Sequence, residues 1–505
     1  MCGRGEIGRR TGLKIPCPQG RAGSSPAVRT TLLAAAAALL IGGCERRPDD
    51  VQVVVSVIGG PARAADPNRV ALSPAGRVLL GATAQGLVAF DAAGGVQPAL
   101  AQRWIVTDDG QSFIFRLRDD MRWQDGRRVT SEQVAASLSR AIAPGSRNPL
   151  LPYLSAIDDI VAMTPEVVEV RLSKPRPNLL TLFAQPELAI TRRGGGGSGP
   201  FREVEGAPAG AVRLRPATDG QDDAPAPAAE DYVVLRGERA ALAVARFAAG
   251  RSDLVDGGRA DDWPLVAAAG IAPNQLRAGA ASGLFGLAVT DRAGFLATPA
   301  NRAAIAMAID RAAITEAFRL QWTITEAVLP DRFDSAAPPA PPPWSALALA
   351  DRVTAARAQV EGWGAPVRLR IALPDGSGGN LLWNALAASL RDIGVEPVRV
   401  ALDAPADLTL IDAVAPYDSA RWYLRTACQP CGATAAALIT AARDADDLPT
   451  RAARLAEADR ALAADVAFIP LARPLRWALV ARRLPSWTPN VRAWHPLNQL
   501  RRNPN

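Results

Sequence analysis

The sequence predicts an α/β protein with more than one lobe, and three of its segments carry this prediction. Residues 51–58 form a β-branched run that ends at Gly59-Gly60, a pattern typical of a buried strand. Residues 104–118 predict a β-hairpin, because apolar and charged side chains alternate on either side of a turn at residues 108–110. Residues 367–402 predict a strand–helix–strand unit whose strands pair in parallel through a right-handed crossover.

Capping and breaking residues mark the ends of several helices. The capping box Thr130-Ser131-Glu132-Gln133 predicts a helix that runs to about Ile142 and stops before Pro144-Gly145. Residues 299–318 and 450–466 are rich in alanine, and each segment predicts an amphipathic helix.

Residues 194–199 satisfy the dinucleotide-binding pattern G-x-G-x-x-G in form only. Pro200 follows at once, and the next residues predict a strand, whereas the dinucleotide site needs a helix at that point. We therefore expect a flexible connection there.

Composition excludes several kinds of site. The chain has 505 residues, of which 49% are hydrophobic, so it is long enough for two to four domain-sized units. One histidine, His495, and five cysteines exclude a histidine-rich metal site and make a tetrahedral zinc site hard to assemble. The sequence also lacks a G-x-S-x-G elbow and a P-loop. We predict no catalytic residues, no metal site and no cofactor, so the enzyme class ranks last.

The first 43 residues predict an export signal. Residues 32–41 are apolar but too few for a bilayer span, which takes about 20, and the basic Arg29 precedes them. Ile41-Gly42-Gly43-Cys44 is similar to the cleavage site of bacterial lipoproteins, in which the cysteine thiol is acylated. We expect Cys44 to carry a lipid anchor, with an ordinary signal and a chance cysteine as the alternative. Residues 1–27 do not fit a signal, so we hypothesise that translation starts at Val28.

Most of the net charge of +7 lies in this leader. Residues 1–43 contain six basic residues and one acidic residue, so the rest of the chain carries only +2. A nearly neutral exported protein gives no argument for binding DNA or RNA.

Cys428 and Cys431 remain once the leader, with Cys2 and Cys17, is removed and Cys44 is assigned to the anchor. Only Gln429-Pro430 separates them, and in an oxidising periplasm so close a pair is expected to form a structural disulfide. A thioredoxin-like redox site is one alternative, although the motif does not open a helix after a strand in a small βαβ unit. The second alternative is that the two cysteines are reduced, or are linked to a partner protein.

Several blocks of sequence, in a fixed order, resemble one family. The longest combines Asp109-Gly110, residues 113–118, Trp123-Gln124-Asp125-Gly126 and residues 129–134. Shorter blocks are Gln85-Gly86-Leu87-Val88 with Asp91 and Gly95, Pro98-Ala99-Leu100-Ala101 with Trp104, Asn178-Leu179-Leu180, and residues 197–201, 301–304, 308–311, 390–395 and 468–471. In these blocks the chain resembles the large periplasmic binding proteins of peptide and nickel ABC importers, the extracellular solute-binding family 5. The similarity is weak across residues 205–280 and 320–360.

This resemblance implies a two-lobed periplasmic-binding-protein fold of type II, in its large form with an extra hairpin-rich subdomain. The expected division is a signal segment with the lipoprotein cleavage site (1–43), lobe I first part (44–84), the extra subdomain (85–192), lobe I second part (193–280), lobe II (281–475) and a C-terminal return to lobe I (476–505).

The resemblance also implies a ligand site between the lobes. In peptide-binding members, a tryptophan is followed three residues later by an aspartate that pairs with the peptide α-amine. Trp422 is similar to that tryptophan, but Arg425 stands where the aspartate is expected. A guanidinium pairs with carboxylate or phosphate, so we hypothesise a ligand that presents an anion to Arg425 and is not an ordinary free-amine peptide. A solvent-facing Arg425, or an alignment shifted by one or two residues, is the alternative.

Four further residues are candidates for the lining of the cleft, namely Tyr423, Trp123, Ile58 and Gly59. Structural packing is the alternative for the aromatic ones. His495 is expected to be a surface or packing residue, with a heme or nickel ligand as the alternative.

The predicted function is that of a lipid-anchored substrate-binding component of an ABC importer, located in the periplasm. As a monomer, it would bind a peptide or another small organic solute, such as an organic anion, and deliver it to permease subunits in the inner membrane. A non-transport relative, acting as a ligand sensor or assembly factor on the same scaffold, is the alternative.

Overall fold

The computed structural model describes residues 48–192, 196–217 and 226–501. Its strands, in chain order, are β1 (Val53–Ile58), β2 (Val88–Phe90), β3 (Val96–Pro98), β4 (Ala101–Thr107), β5 (Ser112–Leu117), β6 (Ile157–Thr164), β7 (Val167–Leu172), β8 (Phe201–Val204), β9 (Ala211–Pro216), β10 (Val233–Glu238), β11 (Leu254–Gly258), β12 (Leu276–Ala280), β13 (Gly283–Val289), β14 (Val367–Leu373), β15 (Val395–Ala401), β16 (Leu408–Val414), β17 (Phe468–Ala472) and β18 (Leu475–Val480). Its α-helices are α1 (Pro74–Thr83), α2 (Ser131–Ile142), α3 (Ala240–Ala248), α4 (Trp263–Ala268), α5 (Pro299–Ala308), α6 (Arg311–Phe318), α7 (Leu349–Glu361), α8 (Ser377–Asp392), α9 (Ala420–Ala427), α10 (Ala433–Asp444) and α11 (Leu448–Asp465).

The largest sheet has seven strands in the order β12-β18-β11-β1-β10-β9-β8, and we call it, with the helices packed on it, lobe I. β1 pairs in parallel with both β10 and β11, and all six of its side chains are buried. A β-branched run suits a strand that is covered on both faces, so the strand predicted within residues 51–58 is confirmed. The late strand β18 lies between β11 and β12 and is antiparallel to both.

The second sheet has five strands in the order β15-β14-β16-β13-β17, and we call it, with its helices, lobe II. β14 and β15 pair in parallel from Val367 opposite Val395 to Leu373 opposite Ala401, and α8 connects them. The predicted strand–helix–strand unit is therefore confirmed. Its helix buries Leu382, Leu386 and Leu390, which recur every fourth residue as an amphipathic helix requires.

A four-stranded antiparallel sheet, β4-β5-β7-β6, forms the centre of the hairpin subdomain. β4 and β5 make the predicted hairpin, in which Phe113, Phe115 and Leu117 are buried while Arg116 is exposed. Gly110 in the turn has φ +93°, and a Cβ atom there would lie 2.6 Å from the backbone nitrogen of Pro177. Glycine alone tolerates this positive φ and has no Cβ to collide with Pro177. The turn can therefore pack closely on the segment that follows β7.

Two helix predictions have different outcomes. α2 begins after Thr130, whose backbone N–H donates to Gln133 Oε1 at 3.2 Å, and it ends at Ile142 as predicted. Residues 299–318, in contrast, form two helices, so the prediction of one helix is wrong. The chain is extended at Asp310, whose carboxylate accepts a hydrogen bond from the Ala313 N–H at 3.0 Å and caps α6.

Two short crossings join lobe I to lobe II. Ala281 and Ser282 connect β12 to β13, while Arg473 and Pro474 connect β17 to β18. The N–H of Ala281 donates to the carbonyl of Pro474 at 2.8 Å, so the crossings lie side by side. The expected division of the chain into lobe segments stays a prediction.

Some predictions concern residues outside the described ranges, namely the signal segment 1–43 and Cys44. Residues 196–199 form neither helix nor strand and lead into β8, as expected for a connection followed by a strand. Over the described ranges, no helix combines the length and the apolar character needed to cross a membrane.

Asp459 on α11 is a buried acid with incomplete hydrogen bonding. It is 2% exposed, and its Oδ2 accepts a hydrogen bond from the Ala340 N–H at 2.7 Å. Its Oδ1 has no hydrogen-bond partner among the described residues. Burial raises the pKa of Asp459 from its ordinary value of 3.8 to about 6.

We predict that Asp459→Asn stabilises the protein at neutral pH. Because the folded state binds the Asp459 proton more tightly than the unfolded chain does, the wild type loses stability as pH rises from about 4 to about 6. Asparagine keeps an acceptor for the Ala340 N–H without the buried charge. Urea denaturation should show a gain of about 3 kcal/mol at pH 7.5 that vanishes near pH 4.

The exposed Asp403 provides the control, since Asp403→Asn removes a carboxylate that solvent already reaches. A gain for Asp459→Asn that is equal at both pH values would contradict the prediction.

Candidate functional site

A cavity of about 480 Å³ lies between lobe I, lobe II and the C-terminal segment 487–495, and we call it the cleft. Lobe I contributes residues at the carboxyl ends of β1 and β11 together with β12 and β18, and lobe II contributes residues 414–416, around the end of β16. Ligands of open α/β sheets bind outside the carboxyl ends of parallel strands. The volume is also within the range of about 300–1,000 Å³ that is usual for small-molecule sites.

The only histidine of the chain lies in this cleft. His495 Nδ1 is 3.2 Å from Oδ1 of Asp256 on β11, and both side chains are largely buried. The ring of His495 stacks on Trp487, with centroids 4.4 Å apart. Trp487 Nε1 and His495 Nε2 are both buried and lack a hydrogen-bond partner among the described residues. The stacking on Trp487 agrees with the expected packing role of His495, whereas its position beside Asp256, at the end of a central strand, was not predicted.

Five arginines also line the cleft, namely Arg77, Arg259, Arg277, Arg476 and Arg492. Carboxylates from other parts of the molecule pair with most of them. Arg77 is 2.6 Å from Glu187 of the subdomain, and Arg492 is 2.7 Å from Asp418, which precedes α9.

Asp412 on β16 is the shared partner of two of these arginines across the lobe boundary. Its carboxylate is 2.7 Å from Arg476 on β18 and 3.4 Å from Arg259, which follows β11. Burial opposes ionisation of Arg259, but Asp412 and Asp261 outweigh this effect and raise the pKa of Arg259. The three groups form an ion-pair network between lobe I and lobe II.

Arg277 on β12 differs from the other four arginines. Its Nη1 donates to the carbonyls of Asn274 and Leu276 at 2.8 and 3.1 Å. No carboxylate among the described residues lies within ion-pair distance of its guanidinium. Arg277 can therefore offer its remaining donors to an anionic group in the cleft.

Aromatic rings supply the apolar part of the lining. Arg77 lies over Trp494 at 5.5 Å from the ring centroid, and Arg492 lies over Phe90 at 5.2 Å. Trp477 on β18 donates from Nε1 to the Arg259 carbonyl at 2.8 Å. A Cβ atom on Gly258 would lie 2.1 Å from Trp477 Cδ2, so glycine is needed beneath this ring.

The three predicted ligand residues on α9 do not line the cleft. Trp422 and Tyr423 are 5% and 0% exposed and pack edge to face on each other, and Tyr423 also stacks on Phe333 at 5.4 Å. Arg425 is exposed, and its guanidinium lies 5.7 Å from the ring centroid of Tyr153 in the subdomain. The predicted pairing of Arg425 with a ligand anion stays a prediction, and the structure gives Arg425 the solvent-facing position that was its alternative.

The other three candidates also lie outside the lining. Trp123 is buried in the subdomain, where its Nε1 donates to Gln133 Oε1 at 2.7 Å. Ile58 packs into the core shared with lobe II, because successive side chains of a strand point to opposite sides and it is Val57 that reaches the cleft. The Gly59 N–H donates to the Glu238 carbonyl at 2.9 Å.

The cysteine pair lies between α9 and α10. Cys428 and Cys431 are joined by a disulfide with an S–S distance of 2.00 Å. Among the described residues, no group of three or more His, Cys, Asp or Glu side chains is arranged to hold a metal ion.

Comparison with known sequences identifies the family. A family profile described as bacterial extracellular solute-binding proteins, family 5 Middle, matches residues 95–412. The chain belongs to this family. The match confirms the resemblance derived from the ordered sequence blocks.

Two curated relatives match parts of the chain. The probable deoxycholate-binding periplasmic protein YgiS of Escherichia coli K12 is 31% identical over 140 residues, which cover 24% of this chain and 26% of YgiS. The periplasmic oligopeptide-binding protein OppA of Salmonella typhimurium is 28% identical over 157 residues, which cover 28% of each chain. The matched segments thus span about a quarter of the length of these relatives.

The fold is shared along nearly the whole chain. The structure of the Escherichia coli murein tripeptide binding protein MppA superposes with a TM-score of 0.74 at 18% identity, covering 90% of this chain and 98% of MppA. This likeness confirms the predicted two-lobed fold.

We predict that Asp412→Ala is strongly destabilising. The substitution leaves the guanidiniums of Arg259 and Arg476 without their shared carboxylate, whose side chain is only 4% exposed. Breaking one side of a buried ion pair costs about 3–5 kcal/mol, which chemical denaturation would measure.

Glu457→Ala is the control, because the Arg454–Glu457 pair is exposed and its loss should cost at most about 1 kcal/mol. Equal losses for the two variants would show that the Asp412 network does not hold the lobes together.

Proposed function

We propose that this chain is the extracytoplasmic substrate-binding component of an ABC importer. It binds a small organic solute in the cleft and presents the closed, liganded form to permease subunits in the inner membrane. Membership of family 5 and a cleft of about 480 Å³ between the lobes support this function. We further propose that the protein resides in the periplasm and is held to a membrane by a lipid on Cys44.

The chemistry of the cleft indicates which solute it binds. Arg277 is the observation that supports an anionic ligand, since it is the cleft arginine without a carboxylate partner among the described residues. Trp477, Trp487 and Trp494 add aromatic faces. The ligand we propose therefore combines an anionic group with an apolar or planar part.

This proposal transfers the anion-binding role from Arg425 to Arg277. A ligand in the cleft would meet Arg277, whereas Arg425 faces solvent beside Tyr153. Deoxycholate and the carboxyl end of a peptide, the ligands named for the relatives, both offer a carboxylate to such a site.

Calorimetry with the purified protein tests this assignment. Deoxycholate, di- to pentapeptides and simple aromatic carboxylates are the probes, and at a hundredfold excess over Kd a ligand should stabilise the protein by about 2.7 kcal/mol. For the tightest-binding probe, Arg277→Gln should weaken affinity at least about tenfold, because a charge-assisted hydrogen bond is lost.

Arg368→Gln serves as the matched control, since Arg368 is exposed on β14 and pairs loosely with Glu396 at 3.6 Å. Unchanged affinity in Arg277→Gln would refute the anion assignment. Tight binding in vitro, with ligand uptake unchanged in cells that lack the protein, would favour the sensor or assembly role instead.

Lipid anchoring has its own test. We predict that Cys44→Ser moves the protein from the membrane fraction to the soluble periplasmic fraction, because the acylated thiol is lost. Cell fractionation and mass spectrometry of the N-terminal peptide measure the change. Equal membrane association of the variant and the wild type would contradict the prediction.

A further inference from the structure

A second cavity, of about 180 Å³, lies between the hairpin subdomain and lobe II, and we call it the basic cavity. Tyr153, Ser173, Lys174 and residues 176–179 line it from the subdomain, and Tyr417 with residues of α9, α10 and α11 line it from lobe II. It shares no lining residue with the cleft. Its volume is below the range of about 300–1,000 Å³ usual for drug-sized ligands, so it suits a small ion or a single functional group.

Cations dominate the lining of the basic cavity. The basic residues are Lys174, Arg176, Arg421, Arg443 and Arg451, and the acidic ones are Asp334 and Asp444. Three of the cations have carboxylate partners at normal distances: Arg451 with Asp334 at 2.9 Å, Arg443 with Asp444 at 2.7 Å, and Lys174 with Asp446 at 2.9 Å. For Arg176 and Arg421, no carboxylate among the described residues lies within ion-pair distance.

Arg421 is the more deeply buried of these two arginines. The residue is 7% exposed, and its Nη1 donates to the Pro152 carbonyl at 3.2 Å. Its Nε has no hydrogen-bond partner among the described residues. Its guanidinium lies 5.8 Å from the ring centroid of Tyr153. A buried guanidinium with an unused donor and no counter-ion is unfavourable unless another group supplies the negative charge.

Arg176 approaches from the subdomain side. Its Nη1 donates to the Pro175 carbonyl at 2.6 Å, and its Nη2 donates to the carbonyl of Arg443. Burial, together with repulsion from Arg451 and Arg421, lowers the pKa of Arg176 to about 10. Three guanidiniums from two parts of the molecule therefore act on one another across the basic cavity.

We propose that the basic cavity binds a small oxyanion, a phosphate or a carboxylate group, through Arg176 and Arg421. Guanidinium groups bind both anions through paired N–H donors, and the anion supplies the counter-charge that the neighbouring protein groups do not. Because Arg176 belongs to the subdomain and Arg421 to lobe II, the bound anion bridges the two. The site is separate from the cleft and does not depend on the solute proposed for it.

Phosphate titration of the purified full chain tests the proposal. The melting temperature is followed at pH 7.5 as potassium phosphate replaces potassium chloride at constant ionic strength, and affinity is measured by calorimetry. The wild type should show a stabilisation that saturates with phosphate concentration, whereas general salt effects do not saturate and act on all variants alike. Arg421→Gln and Arg176→Gln should each weaken phosphate binding at least about tenfold.

Arg454→Gln is the matched control and should bind phosphate like the wild type, since it removes an exposed arginine from α11, the helix that carries Arg451. Arg277→Gln removes the unpaired arginine of the cleft and reports whether phosphate occupies the cleft instead. A second titration with acetate in place of phosphate, carried out in the Arg277→Gln background so that the cleft arginine does not contribute, separates the sources. Saturation by acetate then assigns a carboxylate group, and saturation by phosphate alone assigns a phosphate.

The proposal is overturned if the wild type gains no saturable stabilisation from either anion. It is also overturned if Arg277→Gln abolishes the effect while Arg421→Gln and Arg176→Gln keep it, because the anion would then occupy the cleft. If Arg421→Gln fails to fold, Arg176→Gln decides, since Arg176 donates only to backbone carbonyls and has no ion pair to lose.

Discussion

The junction between the lobes is the constraint on which the arrangement of the cleft depends. At this junction the Ala281 N–H donates a hydrogen bond of 2.8 Å to the Pro474 carbonyl. This hydrogen bond ties together the two crossings between the lobes, each two residues long, so the two sheets cannot separate at this end. Asp412 lies opposite Phe285, which is three residues beyond Ser282 of the first crossing, and Arg476 lies two residues beyond Pro474. The Asp412–Arg476 pair therefore lies next to the two crossings, and the cleft lies beside it.

The C-terminal segment 487–495 is hydrogen-bonded to the same junction between the lobes. The Ser282 N–H in the first crossing donates to the Val491 carbonyl at 2.7 Å, and Arg492 Nε donates to the Gly94 carbonyl in the subdomain at 2.7 Å. Residues 487–495 form neither strand nor helix, and these two hydrogen bonds attach them to the junction between the lobes and to the subdomain. This attachment brings Trp487 and His495 against the end of β11, although they are more than 200 residues away from it in sequence.

These long-range attachments explain which features the sequence could predict. The strand β1, the β4–β5 hairpin and the unit from β14 to β15 followed from local periodicity, which each of these segments shows without reference to distant residues. The break at Asp310 was missed because alanine continues the helical pattern on both sides, although an aspartate ahead of Ala313 was a visible capping signal. His495 and Arg277 could not be predicted as cleft residues. The place of His495 depends on contacts made almost 400 positions away in sequence, and Arg277 lies in the stretch where similarity to the family is weak.

The distribution of charge explains why a few residues should decide specificity. Glu187, Asp412 and Asp418 neutralise four of the five cleft arginines from outside lobe I, so those guanidiniums are already engaged when the lobes are together. A solute that competes for them would have to replace a protein carboxylate and would leave that acid poorly solvated. A solute that turns its anion to Arg277 incurs no such loss. Discrimination between solutes should therefore depend on Arg277 and on the aromatic rings around it. The paired arginines instead stabilise the contacts between lobe I and the rest of the molecule.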